Sequence, residues 1–351
     1  MAKPGRKPLA GKYLRPSDLL MSIAGVLLAA CASAEDTVVA ASASDPAARV
    51  KRTGQILDYT GTELVLRTSL GTEETIPAAR VLELKTTWTP SHQEGDAARA
   101  KGELDEAIAA YRLALAEERR LWTRRRIAAE LAGTYLEAGR IENAGDEFLA
   151  IVASDPATMH YDIMPIAWRP APPGAALERH AAGWLSRQEP AARVLGASWL
   201  LAGPRRAPAI AALEELVKSS DPRVAGLAAI QLWRTKLVTA TAADVAAWRS
   251  QLEKMPPEIQ AAGWYVLGEL YARQDQPEQA ALAYLRAPLV FRPQRALAAD
   301  SLLAAGRQLE KMGRREQAAG LYRELARDHA HLPAAREAGA VGRVFNPSAK
   351  E

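Results

Sequence analysis

The sequence predicts a mainly α-helical fold, a solenoid of repeated helix pairs preceded by a small β module. Three observations carry this prediction. Small and aromatic residues recur at constant offsets: Gly102 to Gly139, Ala107 to Ala144 and Tyr111 to Phe148 are each 37 apart, and Ala280 to Ala318 and Tyr284 to Tyr322 are each 38 apart. A different stretch repeats at 32 residues, with an acidic residue and a proline opening each unit at Glu189-Pro190 and Asp221-Pro222. Residues 49–87 instead carry β-branched residues, period-two alternation and turn glycines, the pattern of short strands.

Taken in order, residues 1–34 read as a signal peptide. A basic segment to Arg15 precedes the apolar run Leu19–Ala30, and small residues follow at Cys31-Ala32-Ser33-Ala34. The run is short for a span of about 20 residues. Two processing routes stay open. Ala32-Ser33-Ala34 fits an ordinary A-x-A cleavage site, and Leu28-Ala29-Ala30-Cys31 resembles the bacterial lipoprotein box, which would make Cys31 the lipidated residue. Residues 35–48 are small and polar and read as a flexible tether. Residues 49–87 read as three or four strands, with Leu64 and Leu66 on one face and turns at Gly61 and Gly71. Either a meander packed on the first helices or a small SH3-like or Sm-like barrel fits them.

Helical grammar begins at residue 91. Gly95, Gly102, Ala107, Tyr111 and Ala114 form one unit, and Leu131, Tyr135, Gly139, Ala144, Phe148 and Pro156 the next. Near the C-terminus, Trp264, Leu267-Gly268, Tyr271, Ala280, Tyr284, Ala287 and Pro293 are followed by Gly306, Gly313, Ala318 and Tyr322. Small residues let paired helices approach, aromatics fill the gap between pairs, and glycine relieves strain in the turn. On these residues the chain resembles the tetratricopeptide repeat family over 91–156 and 261–338. It departs from the family in a spacing above the usual value of about 34 residues and in lacking the early Trp in most units. Residues 175–255 are similar to HEAT-like repeats, with degenerate tetratricopeptide pairs as the alternative. Proline at the first helical position explains the two starts. Between the arrays, the Pro- and aromatic-rich connection 157–174 excludes a regular helix. It packs on the solenoid or presents a partner-binding loop. Residues 339–351 read as a tail.

The net charge of +4 resides in the leader, whose Lys3, Arg6, Lys7, Lys12 and Arg15 face only Asp18, so the remainder is formally neutral. A basic field suited to nucleic acid is therefore absent. The local patch Arg119, Arg120, Arg124, Arg125 and Arg126 reads as solvated helix surface. With one cysteine in the leader, no disulfide or thiolate cluster can form in the body. The five histidines form no H-E-x-x-H, and His329 and His331 read as surface residues. Gly196-Ala197-Ser198-Trp199-Leu200 begins like a nucleophile elbow but lacks the second glycine. No catalytic residue, no cofactor and no metal site is expected.

The resemblance implies a concave groove lined by first helices. Carried onto this chain, the groove positions fall on Tyr265, Glu269 and Arg273, and on Arg307, Glu310 and Lys311. The family's carboxylate-clamp pattern would want Lys and Asn where Tyr265 and Glu269 stand. The expectation is thus a non-catalytic interaction scaffold, exported to the periplasm or envelope. It would bind a protein or peptide partner and touch a membrane only through lipid on Cys31. The alternative is an enzyme, or an enzyme accessory domain, acting on envelope polymers, with a cleft around Asp162.

Overall fold

The computed structural model describes residues 35–169, 171–291 and 295–345. Residues 1–34, which hold the expected signal peptide and Cys31, lie outside the described residues. No described helix is long and apolar enough to cross a membrane.

The described chain is mainly helical, with a small antiparallel sheet at its start. The strands are β1 (Asp36–Ala41), β2 (Arg49–Tyr59), β3 (Glu63–Arg67), β4 (Glu73–Pro77) and β5 (Val81–Lys85), ordered β4-β3-β2-β1-β5. It is a meander whose last strand returns beside the first through the 3-10 turn Ala78–Arg80. Alternation supplies one apolar face, Val38, Ala40, Ile56, Leu64, Leu66 and Ile76, which closes over Trp122. The expected flexible tether at 35–48 is therefore corrected. Its first half is β1, paired with β2 on one side and β5 on the other, with Val38 fully buried. Thr37, Val38 and Val39 are β-branched and suit a strand whose two neighbours complete the ladder. The Asp36 carboxylate also accepts Ile56 N–H at 2.8 Å and Thr86 Oγ1–H at 2.5 Å.

Fourteen helices follow in the described residues. α1 (Pro90–Lys101), α2 (Leu104–Glu117), α3 (Leu121–Glu137) and α4 (Ile141–Ser154) occupy the first predicted pair of units. α5 (Ala175–Leu185), α6 (Pro190–Leu200), α7 (Arg206–Leu216), α8 (Pro222–Arg234) and α9 (Ala242–Leu252) fill the middle. α10 (Pro257–Arg273), α11 (Pro277–Val290), α12 (Arg295–Lys311), α13 (Arg315–Asp328) and α14 (Pro333–Phe345) complete the chain. α14 runs past residue 339, where a tail was expected. The prolines at 190 and 222 sit at the first turns of α6 and α8, and the Asp221 carboxylate caps α8 by accepting Arg223 N–H at 2.9 Å.

Two local devices repeat. A ring on the second helix of a pair lies on a glycine of the first. A Cβ at Gly95 would come within 2.7 Å of the Tyr111 ring, one at Gly268 within 2.6 Å of Tyr284, and one at Gly306 within 2.4 Å of Tyr322. The turn between paired helices takes a left-handed residue at Gly102 (φ 79°), Gly139 (φ 73°) and Gly313 (φ 75°). In the α10–α11 turn the equivalent position is Asp275, at φ 56°.

The connection 157–174 is packed, not free. It contains the 3-10 turn His160–Ile163 and packs Tyr161, Met164 and Ile166 into the core of α4 to α8, with Ala167 also buried. Side chains of the helices bond several carbonyls of this connection and of Pro156 just before it. Arg223 donates to the carbonyls of Pro156, Ala157 and Thr158 at 2.7–2.9 Å, and its guanidinium lies 4.1 Å from the Tyr161 ring centroid. Trp199 Nε1 donates to Pro165 O at 2.7 Å, and Arg234 to Arg169 O at 2.9 Å.

Candidate functional site

The sheet meets the helices through α3. Its first turn carries Trp122 into the core of the sheet, and one turn on Arg125 ties β2 to the helices. Arg125 bonds Asp58, donates to Tyr59 O at 3.0 Å and reaches Ser154 Oγ at 3.4 Å. The Asp155 carboxylate, just past α4, accepts Gly61 N–H at 2.9 Å from the β2–β3 turn. Beside these contacts lies a cavity that Tyr59 of β2 and Thr60 just after it line together with the helices.

That cavity encloses about 820 Å³. Its walls come from β2 (Tyr59), α1 (Asp96, Arg99), α3 (Arg125, Arg126, Glu130), the 3-10 turn (His160, Asp162) and α12 (Arg295). A second cavity of about 280 Å³, lined by Leu136, Pro165, Ile166, Trp168 and Asp300, shares Arg99, Asp162 and Arg295 with the first. The inward side of the connection thus forms part of both walls.

The first cavity is rich in charge. Arg99 donates to Glu137 Oε1 through Nε at 3.1 Å and Nη2 at 2.5 Å; a Cβ at Gly133 would lie 2.9 Å from Arg99 Nη2, so the missing side chain gives the guanidinium its path. Arg126 is exposed, and its guanidinium lies 5.6 Å from the Trp88 ring centroid. Burial, helped by Arg126 and Arg125, pushes the His160 imidazole down to about 4. Burial raises the Asp162 carboxyl to about 6, with Glu258 adding to the rise and backbone N–H donors opposing it. The arginine patch read as solvated surface is accordingly corrected in part: Arg125 is only 6% exposed, because its charge is matched by Asp58 and its donors by β2.

A cluster on the same wall escaped the sequence reading. His92 in α1 is buried, stacked 4.1 Å from Trp88, with Nε2 2.5 Å from Glu130 Oε2 of α3 and Nδ1 3.7 Å from Asp96 Oδ2. The one signal in the sequence was the four-residue spacing of His92 and Asp96, which puts both on one helix face. Glu130 joins them only through packing of α1 on α3.

The groove residues expected from the family pattern lie elsewhere. Tyr265 is 5% exposed and packs on Tyr284 at 5.4 Å between ring centroids. Glu269 accepts the Tyr284 hydroxyl at 2.7 Å, as Asp96 accepts that of Tyr111 at the same distance. Arg273, Arg307 and Lys311 are exposed. Arg307 pairs with Glu337, and Lys311 with Asp275 at 2.5 Å. His331, expected at the surface, is half-buried against Glu137 at 2.9 Å. Compared with protein-family models and with curated proteins, the chain matches none.

Proposed function

We propose that this chain is a non-catalytic binding scaffold of the bacterial cell envelope. It is built as a helical-repeat solenoid of tetratricopeptide-like pairs with a HEAT-like middle, exported by its leader and open to lipid attachment at Cys31. Its partner is a protein or peptide whose acidic segment enters the 820 Å³ cavity between sheet and helices. The observation that carries this reading is the exposed Arg126 guanidinium over the Trp88 ring, on a wall where Arg125 and Arg126 together help to keep His160 uncharged. A stacked arginine presents fixed donors to a carboxylate and is a residue type that dominates interface energies. The glycine–aromatic contacts and left-handed turns, repeated from pair to pair, support the solenoid reading. Tyr265 is buried and Glu269 accepts the Tyr284 hydroxyl, so two of the sequence-predicted groove positions are engaged within the fold.

Photo-crosslinking in cells tests the binding reading. A crosslinker at Met159, which is 41% exposed and lines the cavity, should give a discrete protein adduct in the envelope fraction, and the adduct should vanish with Arg126→Glu. The same probe at Leu282, 63% exposed and away from the cavity, should give none. Equal labelling at both positions would overturn the proposal.

One observation favours the enzymatic alternative. Asp162, held near 6, lies in both cavities, and a carboxyl with that value can act as a general acid near neutrality. Under that reading Asp162→Asn abolishes turnover of an envelope polymer while leaving binding intact. Under the scaffold reading it changes neither.

A further inference from the structure

We propose that His92, Asp96 and Glu130 form a binding site for one divalent transition-metal ion of the zinc class, open to the cavity. The placement is the first ground. Asp96 lies one turn beyond His92 on α1, and Glu130 reaches His92 Nε2 from α3, 2.5 Å away. Each residue can present one ligand atom, and the three atoms lie within 4.8 Å of one another.

The second ground is the imidazole itself. Its side chain is 3% exposed, stacked on Trp88 with an interplanar angle of 18° and tilted against Tyr111 at 5.8 Å. Its Nδ1 has no hydrogen-bond partner among the described residues. A buried ring nitrogen left unpaired is costly, and such groups in folded proteins call for a partner. Asp96 Oδ2 faces that nitrogen at 3.7 Å, too far for a hydrogen bond.

Neighbouring groups orient the donors. The Tyr111 hydroxyl donates to Asp96 Oδ1 at 2.7 Å, leaving Oδ2 turned toward the imidazole. Arg126 Nε stands 4.0 Å from Glu130 Oε1. Such outer contacts fix ligand orientation in metal sites. Asp96 and Glu130 also line the cavity, so coordination positions beyond the three protein donors open onto it. Three protein ligands with an open position is the arrangement of zinc sites that take up water or an anionic group, as opposed to closed structural sites. One imidazole among the donors favours zinc over magnesium or calcium, which prefer all-oxygen sets. The inference stands on this geometry and does not need the partner proposed above.

The test uses the untagged full-length chain, stripped with a chelator and dialysed against Zn²⁺ alone, with bound metal measured per chain and affinity by calorimetry. One Zn²⁺ per chain is expected. Asp96→Asn and Glu130→Gln should each weaken binding tenfold or more, whereas His180→Ala, at an exposed His–Asp pair, should not. Asp96 is 54% exposed, so its variant is expected to fold, and circular dichroism confirms this alongside. Absence of stoichiometric uptake, uptake that survives both carboxylate variants, uptake lost with His331→Ala instead, or tighter binding of Ca²⁺ than of Zn²⁺ would each overturn the proposal.

Discussion

Glu137 closes the last turn of α3 and receives His331 Nε2 at 2.9 Å, a contact between residues 194 apart in the chain. The same carboxylate takes Arg99 on its other oxygen at 2.5 Å and stands 3.7 Å from Arg295. Its side chain is only 2% exposed. One buried acid therefore gathers groups from α1, α12 and the α13–α14 turn, and joins the beginning of the helical array to its end.

Removing that acid leaves Arg99, itself mostly buried, without its counter-charge. Glu137→Ala should cost about 3–5 kcal/mol, the range for breaking a buried pair from one side. His331→Ala removes only one hydrogen bond and should cost about 1–2 kcal/mol. Denaturant unfolding measures both, and hydrogen exchange should show α12–α14 losing protection first in the Glu137 variant. Equal, small losses in the two variants would mean that the closure carries no stability.

The repeat was legible in the sequence because its devices are local. Gly102, Ala107 and Tyr111 recur at a fixed offset, since the turn and the helix contact they serve are built within one pair. The cavity was not, because its walls come from β2, α1, α3, the 3-10 turn and α12, brought together only by tertiary packing. Arg125 reads like its solvated neighbours until β2 covers it. Tyr265 looks available until Tyr284 and the connection at Arg169 close over it; Arg169 in turn donates to Asp300 at 2.5 Å. The strand β1 was missed although Thr37, Val38 and Val39 are β-branched, because the small polar residues 42–48 dominate the stretch and both of its partners come later in the chain.

The contact between a ring and a helical glycine leads to a pair of opposite outcomes. At Gly268 an added methyl would sit 2.6 Å from the Tyr284 ring, and that ring is held by its hydroxyl on Glu269. Gly268→Ala should destabilise by about 1–3 kcal/mol through overpacking. Gly183, in α5, meets nothing within 4 Å. There the same change should stabilise by about 0.5–1 kcal/mol through helix propensity. Thermal unfolding of the two variants checks the sign of each, and a stabilising Gly268→Ala would show that the glycine is not needed for helix approach.

Asp275 occupies the left-handed turn position that glycine fills in the other three pairs. A side chain at positive φ is strained, although Asp tolerates it better than most residues. Asp275→Gly should raise the melting temperature despite losing the Lys311 contact, which joins two well-exposed groups and is worth little. Asp275→Val should lower it, since a β-branched residue suits that conformation worst. Identical melting temperatures in the two variants would remove backbone strain as the explanation.

His160 and Asp162 give the pH dependence of stability two opposing contributions. The imidazole titrates near 4 in the folded chain against an ordinary value near 6.5. Between those values the unfolded chain binds the extra proton, so this group's contribution grows as pH rises through the window and is lost as pH falls. Asp162 titrates near 6 when folded against 3.8. Here the folded chain binds the extra proton, so the contribution is present below about 4 and is lost as pH rises through 6. Over pH 4 to 6 the two slopes largely cancel in the native chain. Single substitutions should unmask them. Asp162→Asn should leave stability rising with pH over that window, and His160→Gln should leave it falling, each by about 2–3 kcal/mol. Denaturant unfolding at pH 4, 5 and 6 measures the slopes. Parallel curves for the native chain and both variants would show that neither group is held away from its ordinary value in the cavity wall.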